Sequence, residues 1–103
     1  MAEYILSGEA VRDLGELETF LTDREGSNRA LAVLARLHRA MSSIAASPGI
    51  GRRRHELVGA PQSFAVQSWI IFYRATADRT GVEIIRVIDG RRDIQVIIGE
   101  AGP

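Results

Sequence analysis

Residues 68–98 read SWIIFYRATADRTGVEIIRVIDGRRDIQVII, and two apolar runs inside them decide the fold. The runs 68–75 and 82–89 are rich in Ile, Val, Phe, Tyr and Trp, side chains that suit a pleated, buried surface. A polar turn segment, 76–81, separates them. The first run is apolar on both faces, with Trp69, Ile71 and Tyr73 on one and Ile70 and Phe72 on the other. Such a strand belongs inside a sheet and not at its edge. In the second run, alternation puts Ile85 and Val87 on one face and Ile84, Arg86 and Ile88 on the other. The run breaks at Gly90 into Arg91, Arg92 and Asp93. These features predict a hairpin at the centre of a sheet, with a charged knuckle at its end.

A chain of 103 residues is expected to form one domain, 1–103, with a core that needs no disulfide or metal. There is no cysteine, which excludes a disulfide framework and a cysteine zinc site; no metal or cofactor is expected. The opening residues lack a basic segment followed by a long apolar run, and no stretch approaches the length of a membrane span. A cytoplasmic protein without membrane contact is therefore expected. Formal charge is zero, yet residues 48–103 hold eight arginines and six acids, against five and seven in residues 1–47. All thirteen basic residues are arginine. Anion recognition here must use planar guanidinium forks, with no lysine chemistry.

Outward from the hairpin, residues 3–6 read as a first strand. Ser7 is a helix N-cap, and Glu9 meets the helix dipole in the first turn. Val11, Leu14, Leu17 and Leu21, with Phe20 beside them, predict an amphipathic helix over 8–24. Glu25-Gly26-Ser27 supplies its stop and a new cap. Ala30, Leu34, Leu37, Met41 and Ile44, flanked by Leu31 and Val33, predict a second helix that Ser47-Pro48-Gly49 ends. The short connection makes the pair an antiparallel hairpin, and its apolar stripe must cover the sheet. Residues 55–58 read as a strand, 59–62 as a turn, and 64–66 as a lead into the central strand. The expected class is α+β, in the order β-α-α-β-β-β: an N-terminal strand, then a helical hairpin packed on one face of a mainly antiparallel sheet. Leu34, Leu37, Met41 and Ile44 are expected against Ile71, Phe72, Ile85 and Val87.

Read in order, several motifs resemble the ParE/RelE toxin superfamily. They are Tyr4-Ile5-Leu6-Ser7 with Ala10 and Asp13-Leu14, and Pro48-x-x-Gly51 with Arg53 and Leu57 after a helical hairpin. Ile71-Phe72-Tyr73-Arg74, Ile84-x-Arg86-Val87-Ile88 and Gly90-Arg91-Arg92-Asp93-Ile94 follow, and this closing pattern is similar to the ParE branch. The resemblance implies the toxin of a type II toxin–antitoxin module. Such a toxin is neutralised by a cognate antitoxin, ParD-like or of another type II class, whose tail folds around it as a hetero-oligomer. Operator DNA is then met only through the antitoxin. ParE toxins poison DNA gyrase without catalytic residues, whereas RelE toxins cleave mRNA on the ribosome.

The residues bear on that choice. RNA cleavage through the 2′-hydroxyl needs a base, an acid and cations near the phosphate. Arginines are present at 52–54, 74, 86, 91 and 92, but after Asp93 the only candidate acid or base is Glu100. Tyr4 and Tyr73 lie in apolar runs; His38 and His55 have no evident catalytic partner. The expectation is therefore a gyrase-binding toxin with no catalytic residues. The alternatives are a ribosome-dependent mRNA endonuclease or a degenerate module that only binds. The candidate target contacts are Arg91, Arg92, Asp93, Arg74 and Arg86, although 91–93 also suit a turn whose Asp caps the next segment. Arg74 is equally suited to pairing with Asp89 or Asp93. For the antitoxin the candidates are Trp69, Ile84, Ile88 and Ile97, since a sheet apolar on both faces with helices on only one leaves the other face bare. Residues 94–98 can cover part of that face, as the short helix usual in the family or as the strand their β-branching suits.

Overall fold

The computed structural model describes residues 3–102; Met1, Ala2 and Pro103 lie outside them. The elements are β1 (Tyr4–Leu6), α1 (Gly8–Glu25), α2 (Ser27–Ala46), a 3₁₀ turn (Pro48–Ile50), β2 (Arg52–Arg53), β3 (Gln62–Val66), β4 (Trp69–Ala75), β5 (Val82–Asp89) and α3 (Ile94–Ile98). One five-stranded sheet has the order β1-β5-β4-β3-β2. Only β1 is parallel to its neighbour; the other pairs are antiparallel. The architecture is the expected α+β one, and the β4–β5 hairpin occupies the sheet interior. No helix among the described residues is long and apolar enough to cross a membrane.

Local chemistry accounts for the helical hairpin. The Ser7 hydroxyl caps α1 by accepting the Ala10 N–H at 3.0 Å. Gly26 links the helices with φ 89°, in the left-handed region that favours glycine, and its N–H donates to the Thr22 carbonyl. Ser27 is the first residue of α2 and makes no side-chain cap, so the second cap expected there is absent. Pro48 stops α2 at Ala46.

The main core lies between the hairpin and the sheet. Leu17, Leu21, Val33, Leu37, Met41 and Ile44 pack with Ile71, Tyr73, Ile84 and Val87. On α1 the buried stripe begins at Ala10, while Val11 is 55% exposed. On α2, Val33 is buried and Leu34 only partly so. A β-bulge alters the expected alternation along β5. Phe72 faces Arg86 and Tyr73 faces Ile84, so Ile85 is the extra residue. Ile84 and Val87 consequently share the helical face, whereas Ile85 and Ile88 join Phe72 on the other. The expected packing of Ile85 under α2 is thereby corrected, and that of Phe72 is corrected by simple alternation along β4, where Ile71 and Tyr73 face the helices and Phe72 the other side.

The second face is also covered. Residues 94–98 form a helix, capped by Asp93, which accepts the Val96 N–H. Ile94, Ile97 and Ile98 lie with Leu57 over Phe72 and Ile88. Residues 55–58 are a turn and not a strand: only Leu57 among them is buried, as a plug, and it bridges to Glu100. The strand of that region is β2. Residues 64–66 belong to a separate strand, β3, joined to β4 by a two-residue turn in which Gln67 takes φ 55°. Gly51 is required where it stands, because a Cβ there would collide with the Tyr73 side chain and the Ser63 carbonyl.

Leu37 is 1% exposed. Leu37→Ala is expected to cost about 2–5 kcal/mol through lost burial and a cavity. Urea unfolding checks this, and a cost below about 1 kcal/mol contradicts the packing described.

Candidate functional site

The sheet edge at β5 explains how one broad groove is built. β1 pairs only as far as Leu6, opposite Ile84. Beyond it, side chains of α1 and its cap satisfy the strand backbone. The Ser7 hydroxyl donates to the Ile85 carbonyl at 2.9 Å, and the Asp13 carboxylate accepts the Val87 N–H at 2.9 Å. The same carboxylate takes two hydrogen bonds from Arg86, at 2.8 and 3.0 Å. Glu9 adds a longer contact at 3.5 Å. The Asp13 hydrogen bond, ahead of any other influence, pushes the Arg86 pKa above its already high ordinary value. These bonds fix α1 across the end of β5 and hold its second half beside the knuckle.

Between them opens a groove of about 700 Å³. Leu17, Phe20, Leu21, Trp69 and Val87 supply its apolar wall. Its rim carries both signs, with Glu16, Glu25 and Asp89 against Arg29, Arg91 and Arg92. Phe20 is 50% exposed, with the Arg24 guanidinium 4.9 Å from its ring centre. Gln67, from the β3–β4 turn, also lines the groove.

At the knuckle, Arg91 donates to Asp89 from its backbone N–H and twice from its guanidinium, the shortest bond being 2.7 Å. Its side chain remains 80% exposed. That guanidinium hydrogen bond, with the backbone bond next, lowers the Asp89 pKa below the ordinary carboxylate range. Arg92 is exposed and has no carboxylate within ion-pair distance among the described residues. Gly90 fits tightly against Ser68 and Ile70, which anchors the knuckle to β4.

The sequence-derived candidates divide between two places. Trp69, Ile88, Arg91 and Arg92 meet at the groove. Arg74, Arg86 and Ile97 meet at a smaller cleft of about 220 Å³, near Ser7 and Glu9. Arg74 pairs with Glu83 at 2.8 Å, and not with Asp89 or Asp93. Asp93 serves as the α3 cap. Ile84 is 0% and Ile88 2% exposed, because the core and α3 already cover them. Leu17, Phe20, Leu21 and Arg29 were not singled out, though a phenylalanine beside the α1 stripe was a signal for the first three. Both tyrosine hydroxyls are engaged internally. Tyr73 donates to the Pro48 carbonyl at 2.6 Å and accepts the Gly51 N–H at 2.9 Å, while Tyr4 pairs with His38.

A sequence model of the family described as the ParE toxin of the type II toxin–antitoxin system parDE matches residues 4–94. Toxin ParE3 of Caulobacter vibrioides is 28% identical over 88 residues, which span 85% of this chain and 86% of that protein. Among solved structures, a chain of the chromosomal ParDE system from P. aeruginosa superposes with a TM-score of 0.72 at 14% identity. The match covers 86% of this chain and 96% of that one. A chain of the RelBE2 toxin–antitoxin complex of Mycobacterium tuberculosis gives 0.61 at 21% identity, over 85% and 96% respectively. At these identities the structural likenesses establish the fold.

The knuckle has a pH signature. With its folded pKa depressed, Asp89 orders the knuckle above the ordinary value of about 3.9, and that order is lost as pH falls through the depressed value. A carboxyl NMR titration should place the Asp89 midpoint below about 3.9 and Arg91→Ala should move it upward. An unmoved midpoint would show that the Asp89–Arg91 contact does not persist in solution.

Proposed function

We propose a mode of action for this chain, which belongs to the ParE toxin family of type II toxin–antitoxin systems: it inhibits DNA gyrase by binding, and a cognate antitoxin neutralises it by filling the groove. It works in the cytoplasm as a hetero-oligomer with that antitoxin. The observation that carries the reading is the apolar wall of Leu17, Phe20 and Trp69 set directly beside Arg91 and Arg92. An exposed aromatic flanked by arginines on a fixed turn is the composition of a binding hot spot. Arg91 is already oriented by Asp89, so little side-chain freedom is lost on docking.

The same adjacency supplies a means of neutralisation. An antitoxin segment that orders itself over Phe20 and Trp69 covers Arg91 and Arg92 as it does so. Blocking the target surface then needs no conformational change in the toxin. Binding fits the residues better than catalysis does, because the Tyr73 hydroxyl spends both its donor and acceptor roles on the Pro48–Gly51 turn.

Two variants separate the surfaces. Arg91→Ala/Arg92→Ala is expected to lower gyrase inhibition by about 10-fold or more, the loss of roughly one hot spot, with the fold intact. Phe20→Asp is expected to weaken antitoxin binding by a similar factor and to reduce the rise in Tm that the antitoxin gives wild type. Supercoiling assays, antitoxin titration and melting curves check both. A fully active double arginine variant would place the target surface elsewhere. Protein that cuts mRNA on ribosomes and leaves supercoiling untouched would replace the binding reading with a nuclease.

A further inference from the structure

The two helices of the hairpin carry opposite charge. α1 holds six carboxylates and two arginines, whereas α2 holds Arg29, Arg36 and Arg39 and no acidic residue along its 20 positions. Arg29, Arg36 and Arg39 line one cleft of about 220 Å³ along α2, together with Ala32, Val33, Ala35 and Gln67 of the β3–β4 turn. No acidic residue lines it. Among the described residues neither Arg36 nor Arg39 has a carboxylate within ion-pair distance, and Arg29 reaches Glu25 only at 4.0 Å, with both side chains about half exposed. Such a pair contributes little and leaves Arg29 available.

We propose that this face of α2 is a docking strip for the phosphate backbone of double-stranded nucleic acid. Arg29 and Arg36 stand seven residues apart, two turns along one side of the helix, and Arg39 follows a turn later. With a rise of about 1.5 Å per residue, the strip is about 15 Å long. A duplex presents one charge per roughly 1.7 Å of its axis, so three guanidinium groups over that length each find a phosphate. The alanines between them let a backbone approach closely, and arginine holds phosphate through a bidentate fork. An acidic protein segment is the competing partner of the same charge. Protein interfaces, however, gather round an aromatic or large aliphatic anchor, and this cleft offers only alanines and Val33, itself 3% exposed. Phosphate contact without base contact needs no such anchor and carries no sequence preference.

The other arginine cluster is more committed to the fold. Arg53 donates to the Ala60 carbonyl, and Arg54 pairs with Glu56 while lying over the Phe72 ring. Arg36 and Arg39 make no such internal contact among the described residues. The strip also lies apart from the groove proposed for the antitoxin, sharing with it only Arg29 and Gln67. The two readings therefore fail separately.

The test uses the purified chain and a short fluorescent duplex DNA of arbitrary sequence, followed by anisotropy across a salt series. Three phosphate contacts predict a slope of about −2.7 in log K against log salt, a loss of about 40-fold between about 50 and 200 mM. Arg36→Ala/Arg39→Ala, checked by circular dichroism for an unchanged fold, is expected to weaken binding at low salt and cut that loss to about 3- to 4-fold. Arg52→Ala/Arg53→Ala is expected to retain the wild-type slope. No binding at low salt, or a wild-type slope in the Arg36/Arg39 variant, would overturn the proposal. Competition by polyglutamate as effective as that by unlabelled DNA would also overturn it, in favour of an acidic protein partner.

Discussion

The interaction on which the rest of the structure depends is the Asp13 carboxylate bound to Arg86 and to the Val87 backbone. β1 is too short to cover β5 along its whole length, and an uncovered edge leaves backbone groups in need of partners. A single aspartate on α1 supplies the acceptor and is itself held by a two-point guanidinium contact. With the side chains only 12% and 19% exposed, the pair is shielded from water and salt to an extent that surface pairs are not. Helix, strand edge and bulge are thereby fixed to one another at one point.

The groove follows from that attachment. With α1 fixed across β5 at Asp13, its next two turns carry Leu17 and Phe20 out over the end of the hairpin, where Trp69 and the knuckle stand. Gly90, packed against β4, sets the knuckle from the other side. The proposed function therefore rests on a surface assembled from parts distant in sequence, each held by a backbone hydrogen bond or by core packing. The smaller cleft near Arg74 includes the other partner of the same attachment, Arg86, in its lining.

Much of this was legible in the residues. The β4–β5 hairpin, the two helices and the Ser7 cap followed from periodicity and cap chemistry, because local spacing reports burial directly. The motifs resembling the ParE/RelE superfamily led to the family that the sequence model matches. What periodicity could not reveal was the bulge, since one extra residue breaks the alternation of faces along the strand; Ile84 and Ile85 were misassigned for that reason, whereas Val87 lies under the helices as expected. Leu57 resembled a strand residue because a single buried plug and a short strand share the same apolar signal. The β3–β4 turn escaped notice because Gln67 takes a left-handed conformation usually marked by glycine or asparagine. Asp13 reads as one of several acids off the α1 stripe, yet it stands three positions after Ala10 and four before Leu17, and a carboxylate at that helical spacing calls for an internal partner. The surfaces were harder to read, because the groove joins α1 to the hairpin end and no spacing along the chain encodes that proximity.

The most direct measurement is a double-mutant cycle on Asp13 and Arg86, with unfolding free energies for Asp13→Ala, Arg86→Ala and the double variant. A shielded pair is expected to give a coupling of about 1.5–3 kcal/mol. Asp13→Ala should cost more than Arg86→Ala, because it alone also leaves the Val87 N–H without its acceptor. A coupling below about 0.5 kcal/mol, with equal losses for the two single variants, would contradict the account and leave α1 held by apolar packing alone.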